Sequence, residues 1–280
     1  MNRVALGISY DGSAWYGWQR QPVLPSVQSE LENALLKFVG QPVAVCCAGR
    51  TDRGVHALNQ VVHLDPPVKR SAKAWVSGLN AFLPSSISVQ WAQEVDENFH
   101  ARFSARERTY FYVLREASVR SPLLDGKVGW VFRPLDLERM RRAAELFVGT
   151  HDFSSFRSTD CQAKSPVREI YTIDIQQSGS FYVFRFVANA FLHHMVRNLM
   201  GTLLYVGYGR LDASDIPTLI ERRDRQYAPP TFAPDGLYLA GVKYEEAVQL
   251  PMQDPLTLFQ QHLGPWIIPA RPEPEDPGVA

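Results

Sequence analysis

The chain has 280 residues, enough for one large domain or two smaller ones around a sizeable core. Its 45% hydrophobic and 21% charged content is that of a soluble globular protein, and no apolar run approaches the ~18 residues of a membrane span. The formal net charge of zero argues against a uniformly basic nucleic-acid binder, yet ten Arg/Lys face five Asp/Glu between Arg102 and Arg142, and one Arg faces six Asp/Glu between Glu245 and Ala280. A basic middle and an acidic tail cancel on paper and need not cancel in space. Cys46, Cys47 and Cys161 lack C-x-x-C spacing, which points to buried thiols in a reducing, cytoplasmic setting and to no metal site. The N-terminus enters a strand-like pattern without the long apolar core of a signal peptide.

Val4 to Tyr10 reads as a first strand, ended by Asp11-Gly12. Tyr16 to Pro22 is an aromatic, polar loop. Ser26 opens a helix whose apolar stripe is Val27, Leu31, Ala34, Leu35 and Phe38, and Gly40 ends it. A β-type run from Val43 to Cys47 and another from Asn59 to Leu64 enclose a polar loop, and Pro66-Pro67 closes the second run. A helix from about Ser71 to Phe82 and a strand from Ile87 to Gln93 complete a β-α-β-β-α-β unit.

The pattern then restarts. Arg108 to Leu114 is strand-like, and Asp136 caps a helix bearing Leu137, Met140, Ala144 and Phe147. Glu169 to Gln176 and Phe181 to Val187 form a hairpin around Ser178-Gly179-Ser180. A helix from about Ala190 to Val206 and a strand from Gly236 to Tyr244 follow. The expectation is an α+β protein of two tandem ferredoxin-like, RRM-like halves with antiparallel sheets. Helices cover one face and the active-site cleft lies on the other. The halves are 1–100 and 101–247, with a Pro-rich acidic tail over 248–280 that holds a short helix from Asp254 to Leu263 and a loose end from Gly264 to Ala280. A site between halves is the natural place for a ligand.

The loop Ala48-Gly49-Arg50-Thr51-Asp52-Arg53-Gly54-Val55-His56-Ala57 holds one carboxylate between two arginines. Nearby positive charge keeps such an Asp ionised, as nucleophile, general base or electrostatic stabiliser; the alternative is a turn Asp bonding its own backbone. Downstream, Phe191, Met195, Leu199 and Leu203 make one apolar stripe, and Val196, Met200 and Leu204 a second beside it. A helix so patterned is mostly buried, so Arg197 on its remaining face needs an anionic partner or must snorkel to solvent. His193-His194 is not read as a metal pair, because adjacent residues on a helix do not share a face. No phosphate loop or dinucleotide fingerprint is present.

Gly49 to Ala57 resembles the active-site motif of the tRNA pseudouridine synthase A (TruA) family. Ala188-Asn189-Ala190-Phe191-Leu192-His193-His194-Met195-Val196-Arg197-Asn198-Leu199-Met200-Gly201 is a second specific match, and Phe99 to Ala105, Arg106 to Tyr112 and Asp160 to Arg168 resemble further family segments in the same order. The resemblance implies an isomerase that converts uridine to pseudouridine in the anticodon arm of tRNA, at positions 38 to 40, without a cofactor or metal. It implies catalytic roles for Asp52, Tyr110 and Arg197, with Arg197 the partner of Asp52. It implies RNA contact by Arg50, Arg70, Phe99, His100, Ala101, Arg102, Phe103, Gln162, Ala163, Lys164, Ser165 and Pro166, and a homodimer. Arg53 stands at a variable motif position and is given no catalytic role. Two other classes compete: a non-catalytic RNA-binding protein, and a carboxylate-dependent N-glycoside hydrolase, which needs a second catalytic carboxylate such as Glu107 or Asp160 near the first.

Overall fold

A computed structural model describes residues 3–263. The first half contains β1 (Arg3–Tyr10), α1 (Val27–Val39), β2 (Cys46–Cys47), β3 (His56–Leu64), α2 (Ala72–Asn80) and β4 (Ile87–Val95). Ser26 caps α1 in a reciprocal capping box with Ser29, and Gly40 ends it in the left-handed conformation. The predicted stripe is the buried one, Val27, Leu31, Ala34 and Leu35. Phe38 of α1 meets Trp75 of α2 edge-on at 5.3 Å. β1 lies between β3 and β4, antiparallel to both. The β-type run before the polar loop is a strand only at Cys46 and Cys47, which pair with His63 and Val62.

The second half contains β5 (Glu107–Glu116), β6 (Gly129–Val131), α3 (Leu137–Glu145), β7 (Gly149–Asp152), β8 (Val167–Ser178), β9 (Phe181–Ala188), α4 (Met195–Gly207), α5 (Asp215–Arg222), β10 (Leu237–Lys243) and α6 (Pro255–Leu263). The expected loose end, Gly264 to Ala280, lies outside the described residues. The strands run β4-β1-β3-β10-β5-β9-β8-β7, with β2 on β3 and β6 on β5. The two expected sheets are thus one, joined where β10 pairs in parallel with β3 at Tyr238↔His56 and Leu239↔Ala57. β2 and β10 each take part of β3: β2 at Val62 and His63, β10 at its first residues. The polar loop leaves β2 and re-enters β3 beside this junction, so the chain itself delivers Asp52 to the meeting of β3 and β10.

The expectation that helices cover one face alone is corrected. Tyr110, Tyr112 and Leu114 of β5 share a core with Met140 of α3 and Met195, Leu199 and Leu203 of α4. The alternate residues, Phe111 and Val113, join Leu58, Val183, Tyr238, Ala240 and Phe259 in a second core. α6 covers that second face, its Phe259 fully buried with ring centroids 4.4 Å from Phe111. Leaving so many apolar side chains to water is costly, and α6 removes the cost. Arg197 of α4 meets Asp52 on the other face.

Candidate active site

Asp52 sits in a loop braced from three directions. Gly54 holds φ +81°, and the Val55 amide donates to the Asp52 carbonyl at 3.1 Å, closing the turn. The Tyr10 and Thr51 hydroxyls are 2.7 Å apart, and the Trp18 amide donates to the Thr51 carbonyl at 3.0 Å. Gln60 of β3 clamps Gly49, accepting from its amide and donating to its carbonyl. The aromatic loop after β1 presses on the same turn. Gly17 has φ +90°, and a Cβ there would meet the Thr51 carbonyl at 2.8 Å, while the Arg53 guanidinium lies 4.3 Å above the Tyr16 ring.

Opposite this loop stands the start of α4. Arg197 Nη1 donates to Asp52 Oδ2 at 3.0 Å, and both side chains are mostly buried. The predicted partner of Arg197 is the observed one. Two neighbours were not foreseen. His193 Nε2 lies 3.4 Å from Asp52 Oδ1, and His194 Nε2 lies 3.5 Å from Oδ2. The sequence pattern suggests a helix from Ala190, but α4 begins at Met195 because His194 adopts φ +63°. The histidines stand in the turn before the helix, and both reach one carboxylate. Burial works to raise the Asp52 carboxyl, but the His193 hydrogen bond, the charge of His194 and the Arg197 guanidinium outweigh it and hold it below the ordinary range. The Asp52 hydrogen bond raises His193, whereas burial lowers His194.

Tyr110 is buried, with its ring edge-on to Phe191 at 5.2 Å. Burial, then the Asp52 charge, push its phenol up, so it stays protonated at neutral pH. Tyr110 and Tyr112 do share one face of β5, as alternation requires.

Behind the pair lies polar scaffolding that periodicity did not reveal. Arg108, 8% exposed, donates to four carbonyls: Ala48, Arg102, Ala105 and Asn189. It ties the base of the Asp52 loop to β5 and to Asn189 after β9. Asn198 is fully buried; it donates to the Phe156 carbonyl and accepts from Arg225 and Thr231. The partners of Arg108 and Asn198 are carbonyls and loop side chains, for which a sequence carries no periodic mark.

The other expected site residues divide. Arg50 is exposed beside Asp52 in sequence. Arg102 and Phe103 are exposed and His100 is half-buried, its ring stacked on Phe103 at 4.3 Å. Phe99 and Ala101 are buried, and Ala101 bonds His63 and Tyr244 through its backbone, so these two anchor the segment. Gln162, Lys164 and Ser165 are exposed, Ala163 and Pro166 half-buried. Their loop starts beside the cluster, where the Ser158 amide donates to the His193 carbonyl at 2.9 Å. Arg70 lies over the Phe38 ring and among Asp65, Pro67 and Trp75, not among the neighbours of Asp52.

Two trios bring ligand-type atoms within 4.8 Å of one another: Asp52, His193, His194 and Cys46, His63, His100. In the first, the Arg197 guanidinium already occupies Oδ2, a poor neighbour for a metal cation. In the second, His63 Nδ1 accepts from Ala101 and His100 Nδ1 from Arg102 and Phe103, so the protons of the neutral rings reside on Nε2. Neither trio is built as a metal site. Nor does the cluster hold paired carboxylates: among the described residues Asp160 acts on His193 through its charge, and Arg197, His193 and His194 are the ionic neighbours of Asp52.

The model of a family described as tRNA pseudouridine synthase matches residues 7–104 and 143–245. A tRNA pseudouridine synthase A from Bordetella petrii (strain ATCC BAA-461 / DSM 12804 / CCUG 43448) is 56% identical over 252 residues, covering 89% of this chain and 94% of its own. A protein of the same name from Janthinobacterium sp. (strain Marseille) is 56% identical over 255 residues, again covering 89% and 94%. Among solved structures, an archaeal box H/ACA sRNP Nop10-Cbf5 complex aligns with 93% of this chain and 57% of the matched chain, at 11% identity and a TM-score of 0.39, a likeness too slight to carry an argument.

Proposed function

The chain belongs to the tRNA pseudouridine synthase A family, and from that premise we propose that it isomerises uridines at positions 38 to 40 of the tRNA anticodon arm through Asp52. It is an isomerase acting on tRNA. The reaction breaks the N1–C1′ bond, turns the uracil and joins C5 to C1′; one proton leaves C5 and one arrives at N1. The observation that carries the role of Asp52 is its setting: a mostly buried carboxylate held ionised by the His193 hydrogen bond, by His194 and by Arg197 at 3.0 Å, beside the junction of β3 and β10. An ionised carboxylate can attack the sugar, attack the base or remove a sugar proton.

The target base must leave its stack, which costs a few kcal/mol. Arg50, exposed on the loop, enters the gap it leaves. Tyr110 stacks on the uracil at the cleft floor. Arg102, with His100 and Phe103, meets the RNA on one side, and the 162–166 loop meets it on the other. Phe99 and Ala101 set the position of that surface from beneath. Arg70 contacts phosphate farther out. The strand orders β4-β1-β3-β2 and β10-β5-β9-β8 support reading 1–100 and 101–247 as two ferredoxin-like halves. A homodimer extends the basic surface toward tRNA dimensions.

The test is tritium release from tRNA labelled at C5 of uridine. Wild type releases it and Asp52→Asn does not, while both bind tRNA. Release by Asp52→Asn at the wild-type rate would sink the assignment, and free uracil as product would favour the hydrolase reading.

A further inference from the structure

The isomerisation carries a proton account that Asp52, Arg197 and Tyr110 do not close. N1 must gain a proton and C5 must lose one. Asp52 is held ionised, with both oxygens engaged. The Arg197 guanidinium is spent on Asp52 Oδ2 and the Phe232 carbonyl. The Tyr110 phenol is buried and too weak an acid to spend time as a base. His193 differs from all three. Its side chain is 42% exposed, against 30% for His194, 17% for Asp52 and 15% for Arg197, so it is the most open member of the cluster. It faces Oδ1, the oxygen that Arg197 leaves free. Its carbonyl is fixed by the Ser158 amide, and its ring lies 4.1 Å from that of His194.

We propose that His193 carries the proton of the isomerisation, resting as an imidazolium on Asp52 Oδ1 and turning to the uracil once the glycosidic bond opens. This rests on the pseudouridine synthase reading. The N1–C1′ bond breaks with its electron pair going to N1. The imidazolium gives its proton to N1, leaving neutral uracil and neutral His193. The uracil turns, the C5=C6 pair forms the bond to C1′, and the C5–H electrons restore the double bond. That proton goes to His193, which returns to its starting state. No external acid, base or oxidant enters. The charged and titratable groups facing His193 are Asp52 from the β2–β3 loop, Arg197 of α4, His194 in the same turn and Asp160 from the loop before β8. The two carboxylates favour the imidazolium and Arg197 opposes it; the hydrogen bond to Asp52 leaves His193 raised while its neighbour His194 is lowered. Two adjacent groups pushed apart in this way are the usual mark of a proton-transfer site.

The experiment uses the full chain in excess over C5-tritiated tRNA, under single-turnover conditions from pH 5.5 to 8.5. Wild type slows as pH rises through the His193 ionisation. His193→Gln loses ~10²-fold or more in rate and lacks that limb, with tRNA affinity within about threefold of wild type. His193→Gly regains at least ~10-fold on adding imidazole, a response that packing alone does not give. His194→Gln keeps the alkaline limb. A His193→Gln enzyme with wild-type rate and profile overturns the proposal, as does a slow one that keeps the limb or a His193→Gly enzyme deaf to imidazole. Failure of wild type to release tritium overturns the parent reading instead, so the two failures are distinguishable.

Discussion

Arg197 and Phe232 hold each other twice: Arg197 Nε donates to the Phe232 carbonyl at 2.9 Å, and the Phe232 amide donates to the Arg197 carbonyl at 3.1 Å. The guanidinium therefore spends one edge on the 230–233 strap and aims another at Asp52. A lysine keeps the charge but has one point of contact and no fork. Arg197→Lys is expected to bind tRNA as wild type does and to lose about 10²-fold in single-turnover rate, the scale of a group displaced by ~1 Å. An equal loss in tRNA affinity would mean that Arg197 serves binding rather than the aim of Asp52.

The strap is held in turn by Asn198. Its Oδ1 accepts from Thr231 and Arg225, and its Nδ2 donates to Phe156. Asn198→Leu fills the same space but leaves buried donors and acceptors unpaired, at about 1–3 kcal/mol for each group stranded. The expected result is a fall of about 2–4 kcal/mol in denaturant-derived stability, together with a slower reaction. Gly201, where a Cβ would lie 2.1 Å from the Pro230 carbonyl, makes an independent probe of the strap. Gly201→Ala should cost about 1–3 kcal/mol through overpacking and slow catalysis by the same route. A slow reaction at undiminished stability in both variants would show that the strap is not what couples them.

How much of this was legible beforehand depends on the kind of interaction. The Asp52–Arg197 pair could be read in two steps: the helix pattern left Arg197 to find an anion or reach solvent, and the resemblance of both segments to one family named Asp52. The order and faces of most elements could be read because burial imposes a period, as Val27, Leu31 and Leu35 show in α1. The start of α4 could not. Phe191 and Leu192 continue the apolar pattern, and a left-handed His194 leaves no periodic trace, so two histidines that share one carboxylate looked divergent. The face that α6 covers was equally hidden. The short helix from Asp254 to Leu263 could be read, but not that its Phe259 would be buried against β5.

Arg108 is the sharpest instance of what pattern conceals, and it carries its own prediction. Its guanidinium is buried among four carbonyls, with no carboxylate hydrogen-bonded to it among the described residues, and burial lowers its affinity for a proton. Only a planar fork can meet carbonyls drawn from Ala48, Arg102, Ala105 and Asn189 together. Arg108→Lys is expected to lose about 2–4 kcal/mol of stability. Because Ala48 opens the Asp52 loop, the rate should fall as well. Urea denaturation beside single-turnover kinetics tests both halves; a stable, fully active lysine variant would show that the four carbonyls are served equally well by a point charge.

His63 gives a pH prediction whose sign follows from its surroundings. Burial first, then the charges of Arg3 and His100, push its imidazole from the ordinary 6.5 down to about 4, with Asp65 opposing. The neutral ring accepts the Ala101 amide through Nδ1 at 3.1 Å and so holds the base of the segment that presents Arg102 and Phe103. Between pH 6.5 and about 4 the unfolded chain binds a proton at this position that the folded chain refuses. Stability therefore rises with pH across that window and is lost as pH falls through it. His56, His100 and His194 are lowered too and act in the same direction, while His193 is raised and acts against them. The difference between wild type and His63→Gln isolates the one group. Urea midpoints from pH 4.5 to 7 should fall more steeply towards acid in wild type than in His63→Gln, whose side-chain oxygen can accept the Ala101 amide without titrating. Parallel slopes would mean that the folded protein tolerates a charged His63, and that the ring is not what couples acid to the Phe99–Phe103 surface.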